Sequence, residues 1–148
     1  MNMTPKLEHG LVLFLVLMFL IPCGLIVFIS GEVPYRLVPG EPVKDAAQAA
    51  GITITSVKDT TWNLTGATGG KVYVLTDSSG NVVTMSTQAF NSAESRDAAI
   101  LLYNAHPVGK GKPVGSLLVV GQYLVYVTPA NSGILETIAP ELKKTTGP

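Results

Sequence analysis

Between Leu11 and Ser30 the chain reads LVLFLVLMFLIPCGLIVFIS, without one charged residue. Such a run is too apolar to rest in water. At about 1.5 Å per residue it is long enough to cross a hydrocarbon core of roughly 30 Å as a helix. It is also longer than the roughly 7–15 apolar residues of a secretory signal peptide. Pro22 is tolerated in a membrane helix, and Gly31 and Pro34 end it. The sequence therefore predicts a short tail over 1–10, a transmembrane helix over 11–30 and a domain tethered to the bilayer.

Two other readings of the same stretch fit less well. Leu20-Ile21-Pro22-Cys23 resembles a lipobox, in which Cys23 would be lipidated, but Pro22 stands where a small residue belongs. Lys6 and Gly10 before an apolar run resemble a pilin leader cleaved after Gly10. The glutamate that pilins carry five positions later is Leu15 here, and Pro34 stops the helix early. Orientation rests on few charges: Lys6 and the terminal amine on one flank, Arg36 and the more distant Lys44 on the other. A ten-residue tail is easily left inside, and Asn63-Leu64-Thr65 is a glycosylation sequon, so the domain is placed outside the cytoplasm.

Lys plus Arg equals Asp plus Glu, at 10 each. A neutral chain lacks the field that draws proteins to nucleic-acid phosphates, and nucleic acid is excluded as a partner. The only cysteine, Cys23, lies inside the apolar run. No intradomain disulfide is available, so the domain must be held by its core. Gly31 to Pro148 is enough chain for one modest domain.

Residues 31–41, GEVPYRLVPGE, read as a Pro/Gly spacer, with the domain over 42–142 and a tail over 143–148. Pro42 suits the first turn of a helix whose apolar face is Val43, Ala46, Ala47 and Ala50, with Gly51 as its stop. Strand-like runs follow at Ile52–Val57, Thr60–Thr65, Lys71–Thr76 and Asn81–Thr87, the last two joined by the turn Asp77-Ser78-Ser79-Gly80. Asn91 and Glu94 have capping-box spacing for a helix from about Ser92 to Asn104. Its predicted buried stripe is Ala98, Leu101, Leu102 and Ala105, with Arg96 and Asp97 on the far side. After the loop HPVGKGKP come two more strands bracketing Gly121. A last helix capped by Asn131 carries Ile134, Leu135, Ile138 and Leu142, and Pro140 should kink or shorten it. The order predicts an α+β domain: a mostly antiparallel sheet of five or six strands with helices packed on one face.

Gly66-Ala67-Thr68-Gly69-Gly70-Lys71 superficially resembles a phosphate loop. Its first glycine comes one place late, Val72 replaces the magnesium-binding hydroxyl, and a strand follows where a helix must open. It reads as a hairpin turn. Lys110 and Lys112, on a glycine-rich tip, are the nominated partner contacts. Tyr35 and Arg36, just beyond the apolar run, are nominated as anchors at the membrane interface. His106 has no evident partner for a triad or a metal. Trp62, Tyr73, Tyr103, Tyr123 and Tyr126 read as core before they read as a pocket. No catalytic residue, cofactor, metal or small-molecule ligand is nominated. The expected function is a non-enzymatic interaction module, single-pass and membrane-anchored, serving other membrane or envelope proteins and the bilayer itself. A membrane-tethered enzyme and a pilin-like subunit are the alternatives.

Overall fold

The computed structural model describes residues 33–105, 115–129 and 133–145. The predicted membrane segment, the Gly10 and Cys23 processing sites, and the loop carrying His106, Lys110 and Lys112 lie outside the described residues. Among those described, no helix is long and apolar enough to cross a membrane.

From Val33 onward the chain forms one compact unit of α+β architecture. The order is α1 (Pro42–Ala49), β1 (Thr53–Thr60), β2 (Ala67–Thr76), β3 (Val82–Phe90), α2 (Ala93–Ala105), β4 (Ser116–Val120), β5 (Tyr123–Thr128) and α3 (Gly133–Thr145). The five strands make one sheet, ordered β1-β2-β3-β5-β4. Every neighbouring pair is antiparallel. The Asp77–Gly80 turn joins β2 to β3 as expected. Asp77 Oδ1 accepts from the backbone N–H of Ser79 and of Asn81 at 2.9 Å each, which lets the chain reverse without orphaned donors.

The helices do not share one face, which corrects the layer prediction. α1 and α3 cover one face over Tyr73, Leu75, Val83, Met85, Val125 and Val127. α2 covers the other over Phe90 and Leu124. Both faces need covering because the central strands are apolar on both sides, as Leu124-Val125 shows, and one helical layer buries only one of them. α1, small-faced with Val43, Ala46 and Ala47 buried, packs chiefly on α3 and only lightly on the sheet edge.

Several local readings also change. Thr60–Thr65 is not a separate strand: β1 runs to Thr60, and the next residues form a loop whose Leu64 N–H bonds back to Trp62 O at 2.8 Å. In α2 the buried residues are Arg96 and Ala99, while Leu101 and Leu102 are 71% and 53% exposed. The stripe turns away from the predicted Ala98/Leu101/Leu102 line because the Arg96 guanidinium finds carbonyl partners inside. The cap is Ser92, whose Oγ accepts from Ser95 N–H at 3.2 Å. α3 is not shortened by Pro140 but continues to Thr145, held by buried Ile134, Ile138 and Leu142 along one side. Lys143–Thr145 therefore belong to the helix and not to the tail.

Tyr73 lies in the first core at 2% exposure, and burial pushes its hydroxyl up to about 12. An unfolded tyrosine ionises near 10. Between about pH 10 and 12 the unfolded chain has lost a proton that the folded one keeps, so stability is complete below that window and falls as pH rises through it. Urea midpoints should fall between about pH 9 and 11.5, and less steeply in Tyr73→Phe. Equal slopes in both proteins would contradict this role.

Candidate functional site

The second face of the sheet carries an apolar cleft of about 270 Å³ lined by Trp62, Leu64, Ala99, Leu102, Tyr103, Leu117 and Leu124. Leu124, 1% exposed, lies at its base, and α2 supplies Ala99, Leu102 and Tyr103 along one wall. The opposite wall is the β1–β2 loop, whose Trp62 end is held by a buried side chain. Gln88, fully buried in β3, accepts from Trp62 N–H through Oε1 at 2.6 Å. Its Nε2 donates to Gly69 O and Ala89 O, each at 2.9 Å. The Trp62 indole N–H reaches Ser86 Oγ at 3.3 Å. At the far end Tyr103 meets Tyr126 edge-on, with centroids 6.1 Å apart at 62°, and its hydroxyl lies 3.4 Å from Gly115 O. Burial raises the Tyr103 pKa, so the lining is uncharged at neutral pH.

An uncharged cleft of this size accepts apolar groups, and none of its lining side chains changes charge near neutrality. It falls just under the roughly 300–1,000 Å³ of small-molecule pockets, which suits it to protruding side chains. Among the described residues no cluster of His, Cys, Asp or Glu could hold a metal ion.

The Gly66–Lys71 segment forms a turn and then strand β2, paired antiparallel with β1 through Lys71↔Asp59 and Gly70↔Thr60. Its lysine is already engaged. Lys71 Nζ pairs with Glu41 and lies 3.9 Å from Asp59, and Lys44 reaches Glu41 at 3.7 Å. The hydrogen bond from Lys71 holds the Glu41 carboxyl below its usual pKa.

Residues 33–40, read as spacer, are docked on the domain. Arg96, 2% exposed, donates from Nη1 to Gly121 O at 2.6 Å and from Nη2 to Val33 O at 2.7 Å. Gln122 brackets Val38, accepting from its N–H at 2.6 Å and donating to its carbonyl at 3.1 Å. Gly121, at φ +56°, makes room for Val38, whose side chain occupies the space a Cβ would need. Tyr35 donates its hydroxyl to Phe90 O at 2.8 Å, and Arg96 stands 5.6 Å over its ring. Tyr35, nominated as a membrane-interface anchor, is thus half-buried in the domain, whereas Arg36 beside it is exposed.

Of the aromatic set, Trp62 and Tyr103 line the cleft, and Tyr73 and Tyr123 pack with the first core. Gln88, Arg96 and Gln122 carry no motif. Their only signal was polarity within or beside predicted strands and helix, where it reads equally well as solvent-facing. Removing the Gln88 amide should release the Trp62 loop. Gln88→Ala should cost about 3 kcal/mol, from two or three orphaned backbone groups. It should also red-shift the fluorescence of Trp62, the only tryptophan. An unshifted spectrum would show that the loop is held by something else.

The chain matches no family model, no curated protein and no solved structure.

Proposed function

We propose that this chain is a single-pass membrane protein whose α+β domain, held outside the cytoplasm, is a binding module for another protein of the same membrane or envelope. The cleft would receive apolar side chains from that partner. The cleft itself is the observation that carries the reading. Its lining is uncharged, it is walled by a loop fixed through Gln88, and Leu102, which lines it, is 53% exposed with Leu101 beside it at 71%. Apolar side chains grouped at the exposed rim of an apolar cleft are the kind of patch that marks an interaction surface.

The tether supports the choice of partner. An anchor such as the sequence predicts over 11–30 favours partners fixed in the same bilayer, where confinement raises the effective concentration.

A photo-crosslinking residue at position 102, compared with one at the exposed Lys58 on β1, tests the reading in native membranes. A discrete adduct with a membrane protein at 102 but not at 58 supports it. Adducts with lipid alone, or equal labelling at both positions, would overturn it.

A further inference from the structure

We infer that Asn63 is an acceptor for an N-linked glycan, a proposal that rests on the domain being outside the cytoplasm. Asn63-Leu64-Thr65 has the required acceptor spacing, with a non-proline residue between the amide and the hydroxyl. The fold presents those two side chains and withdraws their neighbours. Asn63 and Thr65 are both exposed, whereas Trp62 and Leu64 are half-buried and line the cleft. Neither Asn63 nor Thr65 makes a side-chain hydrogen bond among the described residues. That separates this asparagine from one retained to close a turn. Asp77 and Asn81 show the contrast, with side chains joined at 2.8 Å.

The loop is fixed from both ends. Gln88 holds Trp62 N–H, Ala67 N–H bonds to Leu64 O at 3.1 Å, and Asn91 N–H bonds to Gly66 O at 2.9 Å. A glycan on Asn63 would therefore project from the outer rim of the cleft wall and leave the cleft open. The donor is an oligosaccharide carried on a lipid pyrophosphate. The Asn63 side-chain nitrogen bonds to the anomeric carbon, the bond from that carbon to the pyrophosphate oxygen breaks, and the lipid pyrophosphate departs with the electron pair. The amide gives up one proton, and no oxidation or reduction occurs.

The chain's one other sequon, Asn2-Met3-Thr4, lies across the apolar run, so the pair reports topology as well as modification. The full chain is synthesised with sealed microsomal membranes that carry the asparagine glycosyltransferase. Gel mobility is read with and without endoglycosidase, and protease protection is measured on the same vesicles. The expected result is a protected domain with one removable glycan, lost completely in Asn63→Gln and Thr65→Ala and retained in Thr65→Ser. A protected domain without a glycan would overturn the assignment of Asn63 and leave the topology standing. An accessible domain, or a glycan lost in Asn2→Gln and kept in Asn63→Gln, would overturn the topology and the assignment with it.

Discussion

Gly70→Ala should be among the most damaging single substitutions in the domain, although it adds one methyl group. Gly70 lies in β2 opposite Thr60 of β1, and a Cβ there would fall inside the van der Waals envelope of the Thr87 carbonyl oxygen in β3. The obstacle is backbone, so no rotamer change relieves it and the two strands must part. Parting them strains three bonds: Lys71 N–H to Thr87 Oγ1 at 3.0 Å, Thr87 Oγ1 to Lys71 O at 3.2 Å, and Gln88 Nε2 to Gly69 O at 2.9 Å. Overpacking and loosened hydrogen bonds together put the loss at about 4 kcal/mol. That is a large part of the roughly 5–15 kcal/mol that holds a domain together. Gly133→Ala is the control, since a Cβ there meets nothing within 4 Å. It should leave stability unchanged within about 1 kcal/mol. Urea unfolding followed by Trp62 fluorescence measures both. Equal midpoints for the two variants would show that β2 and β3 are not so closely apposed.

Arg96→Ala should cost about 3 kcal/mol and free the entering chain. The guanidinium is buried, but its charge partner Asp97, 2.8 Å away, is half exposed, so the ion pair itself contributes little. The loss comes from Gly121 O and Val33 O, which are left without their donors. Arg96→Lys should fall between wild type and alanine, because one ammonium cannot reproduce the fork that reaches both carbonyls. A stability assay alone would not separate this clasp from ordinary packing. Limited proteolysis does: cleavage within 33–40 should accelerate in Arg96→Ala well before the sheet is attacked. Unchanged cleavage there would remove Arg96 as the device that docks this segment.

The α+β class, the Pro42–Ala49 helix with Gly51 as its stop, the Asp77–Gly80 turn, the β4–β5 hairpin and the Ile134/Ile138/Leu142 face were legible because each is written in local pattern. Turn residues sit where the chain reverses, and apolar residues recur at the period of the element. What failed was long-range. The sequence places Arg96 outside because arginine usually is, and only the fold brings Gly121 O and Val33 O to it. Once Arg96 turns inward, Leu101 and Leu102 must turn outward, and the cleft's exposed lip follows from that rotation. Trp62 and Leu64 alternate as a strand would, but Gln88 takes the Trp62 N–H that a strand partner would need. The Pro/Gly stretch hides its bonds to the domain for a similar reason. Two prolines and two glycines describe a chain with no structure of its own, and they do not reveal that Gln122 and Arg96 supply one. The cleft had no signature in the sequence, since its lining comes from four separate stretches of chain.

We propose that Leu11–Ser30 holds this protein in a lipid bilayer. This is tested most directly by washing membranes that contain the full-length chain with alkaline carbonate and then with mild detergent. The chain should stay in the pellet through the carbonate wash and move to the supernatant only with detergent, and a version lacking 11–30 should be released at once. Release of the full-length chain by carbonate alone would contradict the account.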